Sequence, residues 1–258
     1  MAEYVRVPKG QFCWVELQTA DPRAARRFYG GLFGWVFEEF PHPAGAYTIA
    51  KLNDEQVAGL TALPEQTAGL GAPPSWASYV AVDDVPATAD AAARLGAKVV
   101  VGPTQLGPGT FAALQDPTGA PFMLWRAPEH PTGTFRYGEP GALAWNELLS
   151  TNMDVAQRFY TQLFGWSAEP MQMPEGTYVV LKKGDMPVGG LMAQPHGMDM
   201  PSFWAVYFAV ADADATFATA RELGASVMLP LADFPKVGRL GWLRDPQGAP
   251  FAVIKSAR

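Results

Sequence analysis

From Phe12 to Thr19 the chain reads Phe-Cys-Trp-Val-Glu-Leu-Gln-Thr, a strand-like run whose alternate residues would face opposite sides of a sheet. Asp21-Pro22 follows, an N-cap residue with proline at the first helical position, and predicts a helix from Pro22 to Leu32 that ends near Gly34. Three short strand-like runs come next, over Val36–Phe40, Tyr47–Leu52 and Gln56–Ala62. The order then restarts. Ser75–Val82 reads as a strand and Val85–Leu95 as a helix closed by Gly96; strands are predicted over Val99–Gly102, Gly109–Leu114 and Phe122–Arg126. The second half repeats this, with strands at Trp145 and Trp204 and helices over Asp154–Phe164 and Asp214–Leu223. Strand, helix, three strands, four times over, predicts an α+β chain of four βαβββ modules.

Self-similarity ties the halves together. Phe28-Tyr29 with Leu32-Phe33-Gly34-Trp35 recurs as Phe159-Tyr160 with Leu163-Phe164-Gly165-Trp166. Leu95-Gly96-Ala97 recurs as Leu223-Gly224-Ala225, and Asp116-Pro117-Thr118-Gly119 as Asp245-Pro246-Gln247-Gly248. Three matches in one order, at offsets of 128 to 131 residues, mark a tandem duplication. The expected domains are residues 11–127 and 142–258, joined by a linker over 128–141 that carries Pro128 and Pro131.

Composition narrows the function classes. The chain has 258 residues, 48% of them hydrophobic and 17% charged, with a formal net charge of −6. That length supports two domains, each with a core of its own. The negative balance argues against nucleic acid, which needs concentrated Lys and Arg, and against an anionic membrane surface. No apolar run is long enough to span a bilayer, and Met1–Gln11 lacks the apolar stretch of a signal peptide. The single cysteine, Cys13, sits between Phe12 and Trp14 and reads as a buried strand thiol; a cytoplasmic setting is expected.

Trp14-Val15-Glu16-Leu17, Asp21, Phe28-Tyr29, Leu32-Phe33-Gly34-Trp35 and the two Asp-Pro-x-Gly turns together resemble the vicinal oxygen chelate superfamily. That superfamily includes glyoxalase I, extradiol dioxygenases, and fosfomycin-resistance and bleomycin-binding proteins. The paired layout is most similar to the two-domain glyoxalase-like antigens of mycobacteria. The resemblance implies tandem domains, each of two βαβββ modules forming a cup-shaped mixed sheet with helices outside. It also implies where enzyme members bind a divalent metal: His or Gln on the first strand of each module, Glu on the last.

Matched by motif, the first-strand ligand falls seven residues before Asp21, at Trp14, and seven before Asp83, at Trp76; the second-half counterparts are Trp145 and Trp204. The last-strand ligand falls on Gly59, Met123, Gly190 and Ala252. None of these suits an oxygen-preferring cation, and His42, His130 and His196 occupy no matching places in the two halves. The expectation is therefore a chain with no family-type metal and no other cofactor.

Strand alternation would turn Val15 and Leu17 to the helix, and Trp14 and Glu16 into the cup, with Trp145 and Glu147 likewise. Trp125 would look inward with Met123, and Tyr47 and Tyr178 recur in register as further wall residues. Trp14, Trp76, Met123, Trp125, Trp145, Trp204, Tyr47 and Tyr178 are thus the expected ligand-binding set. Aromatic walls with a carboxylate suit a flat or cationic small molecule. Three readings compete. One is a monomeric or homodimeric protein that sequesters an organic ligand, and another is a metal-independent enzyme with Glu16 or Glu147 as general base. The third is a scaffold whose cups are plugged by indoles, with each glutamate in a buried pair, for instance Glu16 with Arg126.

Overall fold

The computed structural model describes residues 8–42, 45–63, 73–107, 109–126, 137–173, 176–195, 197 and 200–257. His130, His196 and most of the expected linker lie outside these residues.

Four β-α-β-β-β modules are present. The first runs β1 (Phe12–Thr19), α1 (Pro22–Phe33), β2 (Val36–His42), β3 (Gly45–Leu52) and β4 (Glu55–Ala62). The second runs β5 (Ser75–Ala81), α2 (Val85–Arg94), β6 (Lys98–Leu106), β7 (Gly109–Gln115) and β8 (Pro121–Arg126). The third comprises β9 (Leu143–Ser150), α3 (Met153–Phe164), β10 (Ser167–Met173), β11 (Gly176–Lys183) and β12 (Met186–Ala193). The fourth comprises β13 (Phe203–Ala209), α4 (Ala213–Glu222), β14 (Ser226–Phe234), β15 (Gly238–Arg244) and β16 (Pro250–Ser256). The strands form two mixed eight-stranded sheets, ordered β2-β3-β4-β1-β5-β8-β7-β6 and β10-β11-β12-β9-β13-β16-β15-β14. The α+β class and the fourfold plan read from the sequence are what the structure contains.

The helix boundaries follow from local chemistry. Asp21 caps α1 by accepting from the Arg23 and Ala24 amides, and Gly34 ends it at φ 72°, a conformation that glycine reaches without steric penalty. Asn152 and Gly165 do the same for α3. Asp84 caps α2 through the Ala87 amide, and Asp212 caps α4 through the Ala215 amide.

Those last two caps correct the register expected for modules two and four. Counting from Asp83 placed Trp76, and correspondingly Trp204, level with Trp14 and Trp145. The capping residues are Asp84 and Asp212, so the equivalent positions are Ala77 and Ala205. A slip of one residue moves a side chain to the opposite face of its strand. Trp76 and Trp204 accordingly lie in the helix-covered cores, 4% and 3% exposed.

The cores do not divide the chain where the repeats do. One gathers modules one and four with Trp76 from the start of β5: Val15, Leu17, Phe28, Tyr29, Trp76, Phe208 and Phe251 pack together. The other gathers modules two and three with Trp204 from the start of β13: Val80, Phe122, Leu124, Leu148, Tyr160, Trp166 and Trp204. Each displaced tryptophan anchors a polar chain inside its core. Trp76 Nε1 donates to Tyr29 Oη at 3.1 Å, and Tyr29 Oη donates to Asp245 Oδ2 at 3.1 Å. Trp204 Nε1 donates to Tyr160 Oη at 2.8 Å, and the Asp116 carboxylate lies near that phenol. Burial, followed by the neighbouring aspartate charge, drives the Tyr29 and Tyr160 pKa values well above the ordinary 10.0. The same aspartates shape the Asp-Pro-x-Gly turns. Asp116 Oδ1 accepts from the Thr118 and Ala120 amides, and Asp245 Oδ1 from the Gln247 and Ala249 amides. The motif is thus a turn and a core anchor at once.

Candidate functional site

On β1, Val15 and Leu17 are fully buried in the helix-side core, so alternation sends Trp14 and Glu16 to the other face. There Trp14 Nε1 donates to Tyr47 Oη at 2.9 Å, and the Tyr47 hydroxyl hydrogen-bonds Glu16. Gln18 Nε2 lies 3.5 Å from Glu16 Oε1. Glu16 is 6% exposed, while the two rings are half-buried. Burial is the main reason the Tyr47 pKa stands well above 10.0; the Glu16 charge and the bond to it add to this, and the Trp14 N–H opposes it. The phenol therefore stays protonated and donates to the carboxylate. This gives a buried carboxylate a partner that offsets its burial.

Gly59 makes the arrangement possible. It pairs with Glu16 across the parallel β1–β4 ladder. A Cβ at Gly59 would overlap the Tyr47 hydroxyl, and would stand 2.8 Å from Tyr47 Cζ and 2.9 Å from Trp14 Nε1. The phenol thus occupies the space that a ligand side chain on β4 would need.

The third module builds the same site independently. Trp145 Nε1 donates to Tyr178 Oη at 2.8 Å, and Glu147, 6% exposed, pairs with Gly190 across the β9–β12 ladder. A Cβ on Gly190 would overlap the Tyr178 hydroxyl and stand 2.9 Å from Trp145 Nε1.

Modules two and four differ. Tyr79 and Tyr207 occupy the places of Glu16 and Glu147, because they pair with Met123 and Ala252 as Glu16 pairs with Gly59. Since Phe122 and Leu124 point into the helix-side core, Met123 and Trp125 share the opposite face. In module four Trp242 Nε1 donates to Tyr207 Oη at 2.9 Å, and both residues are buried. Tyr79, Tyr207 and Trp242 were missed from sequence, and counting five back from Asp84 and Asp212, as Glu16 lies five before Asp21, would have found the two tyrosines.

The donor set does not fit a family-type metal. Position by position it reads Trp14, Gly59, Ala77 and Met123 in the first half, and Trp145, Gly190, Ala205 and Ala252 in the second. Indole, methyl and hydrogen hold no cation, and thioether sulfur is too soft for an oxygen-preferring one. Among the described residues no three His, Cys, Asp or Glu side chains gather to hold an ion. No helix among them is long and apolar enough to cross a membrane. Ser78 is buried and donates to Asn146 Oδ1 at 2.7 Å. Cys13 is fully buried, with Sγ 3.5 Å from the Tyr79 carbonyl. Lys51 and Lys182 form ion pairs with Glu38 and Glu169 on the surface.

Known proteins carry the same plan. CFP32 of Mycobacterium tuberculosis, a protein named as a glyoxylase, is 44% identical over 248 residues, which cover 95% of this chain and 94% of that one. The anthracycline biosynthesis protein DnrV of Streptomyces peucetius is 34% identical over 262 residues, covering 97% of this chain and 94% of its own. Among solved structures, the Mn(II)-bound glyoxalase of Novosphingobium aromaticivorans shares the fold at TM-score 0.61 and 17% identity, covering 98% of this chain and 84% of that one. The 2,2',3-trihydroxybiphenyl 1,2-dioxygenase of Sphingomonas wittichii does so at TM-score 0.65 and 16% identity, covering 95% and 90%. The model of the glyoxalase-like domain matches residues 14–125 and again 148–254. This chain belongs to the glyoxalase-like domain family, with two copies of the domain in tandem.

Proposed function

We propose that the chain binds a small, flat organic molecule through its aromatic strand faces, and does so without a metal ion. The observation that carries this reading is the Trp14–Tyr47–Glu16 cluster, rebuilt as Trp145–Tyr178 beside Glu147, at the places where the family's enzymes hold their cation. Indole and phenol faces attract planar rings, and a neighbouring carboxylate adds attraction for a cationic one. A relative named for anthracycline biosynthesis supports a ligand of this kind, because anthracyclines are flat fused-ring compounds. The test is a titration with the planar cation proflavine, followed by tryptophan fluorescence. Saturable quenching is expected, weakened about tenfold or more in Trp14→Ala and Trp145→Ala, the scale of one lost stacking partner. Absence of saturable quenching by proflavine or any other fused-ring compound would refute the reading.

A second reading is favoured by one feature, the hydrogen bond from the Tyr47 phenol to Glu16. A carboxylate held at 6% exposure beside a proton donor is the arrangement of a general base with its relay, so the chain would act as a metal-independent enzyme on the same ligand. Glu16→Gln and Glu147→Gln separate the two readings. Loss of turnover with binding retained favours the enzyme, and unchanged turnover in both variants excludes it.

A further inference from the structure

The indole N–H groups of this chain are used consistently. Those of Trp14, Trp35, Trp76, Trp145, Trp166, Trp204 and Trp242 all donate to an acceptor within the protein. Trp125 breaks the pattern: its Nε1 is covered and has no hydrogen-bond partner among the described residues. A buried donor without an acceptor is disfavoured, and native proteins rarely retain one without a reason.

The surroundings of Trp125 suggest that reason. Its ring is half-buried, opposite Phe111 in the β7–β8 ladder, on the face that carries Met123. Gly109 leaves the ring its room, since a Cβ there would stand 2.6 Å from Trp125 Cη2. Met123 is paired with Tyr79, and its flexible thioether is the side chain on this face best able to yield to an incoming molecule.

The equivalent face of module four is completed differently. Ile254 replaces Trp125, Ala252 replaces Met123, and the indole sits instead on β15 as Trp242, already bonded to Tyr207. That face satisfies itself; the module-two face does not.

We infer that the β5/β7/β8 face is a ligand site of the first glyoxalase-like domain, in which the Trp125 N–H donates to a carbonyl or phenolic oxygen of a flat organic molecule. The module-four face, closed by its own Trp242–Tyr207 bond, makes no such contact. This assignment rests on the binding reading above and adds the acceptor oxygen to it.

A matched pair of probes tests it. 2-Aminoanthraquinone carries two ring carbonyls, and 2-aminoanthracene has the same ring plan with none. Affinities for both are measured by calorimetry on the wild-type chain, Trp125→Phe and Trp242→Phe. Phenylalanine keeps an aromatic wall, removes the donor, and loses the second indole ring against both probes alike. Beyond any loss shared by the anthracene, Trp125→Phe should bind the anthraquinone about threefold to tenfold more weakly, the range of one neutral hydrogen bond. Trp242→Phe should leave both affinities unchanged. Equal effects of Trp125→Phe on the two probes, or the same selective loss in Trp242→Phe, would overturn the assignment while leaving the binding reading in place. If neither probe binds the wild-type chain, both fail.

Discussion

Replacing Gly59 by alanine puts the account of the site under direct strain. The residue lies in a strand with no unusual backbone angle, where alanine is ordinarily favoured by about 0.5–1 kcal/mol. Here the added methyl would overlap the Tyr47 hydroxyl and stand 2.8 Å from its Cζ. Two responses are open: the strands part around the methyl, or the ring swings away. Overpacking of the first kind costs about 1–3 kcal/mol. The second gives up the bond from Trp14, worth about 0.5–1.5 kcal/mol, and the charge-assisted bond to Glu16, worth about 1.5–3 kcal/mol. Allowing for the alanine preference, a net loss of about 1–3 kcal/mol is expected, read from urea denaturation. The partner variant Tyr47→Leu removes the hydroxyl and shortens the side chain. In that background Gly59→Ala should change stability by no more than about 0.5 kcal/mol, leaving a coupling of about 1–2 kcal/mol. Gly59→Ala with wild-type stability, or with the same loss in both backgrounds, would show that the phenol does not fill the space on β4.

Other consequences follow from the polar chains. Glu16→Gln keeps an acceptor for the Tyr47 phenol but removes the charge that helps hold its proton, so Tyr47 should ionise at lower pH than in the wild type; difference absorbance at 295 nm between the two proteins checks this. Tyr29 and Tyr160 should contribute no tyrosinate signal until alkaline unfolding, because folding raises their pKa values and their stabilising effect is lost only as pH climbs past the unfolded value of 10.0. Trp76→Phe deletes the donor to Tyr29 deep in a core and should lower stability by about 1–2 kcal/mol, with Trp204→Phe alike. Burial raises the Asp245 pKa above 3.8, so the folded chain binds the extra proton. The stability of the wild type relative to Asp245→Asn should therefore be greatest below pH 3.8, fall as pH rises towards the folded pKa, and stay level above it; denaturation at pH 4 and pH 7 compares the two.

Much of the fold was legible because the signals were local and repeated. Asp21-Pro22 and Gly34 bracket α1 by capping chemistry that depends on nothing distant, and the second half repeats the pattern at α3. The Trp14 and Trp145 faces were legible too, since Val15, Leu17 and Leu148 announce the buried side of each strand. Trp76 and Trp204 were misplaced for a specific reason. Asp83-Asp84 offers two neighbouring candidates for a cap, choosing the wrong one inverts a strand's faces, and Trp204 follows Trp76 as its repeat counterpart. Packing of module one with module four, and of two with three, leaves no trace in periodicity, because hydrophobic pattern marks which face is buried and not what buries it. Nor could sequence reveal that Tyr47 folds over Gly59, because that contact depends on the antiparallel register of β3 against β4.

The central claim is that aromatic and glycine residues have replaced the cation-holding set, leaving a site for a flat organic molecule. Elemental analysis of chain equilibrated with Mn(II), Fe(II) and Zn(II), then gel-filtered, tests it most directly. Well below about 0.1 ion per chain is expected from a site lacking hard donors. One tightly held ion per chain or more, lost in a Glu16→Gln or Glu147→Gln variant, would contradict it.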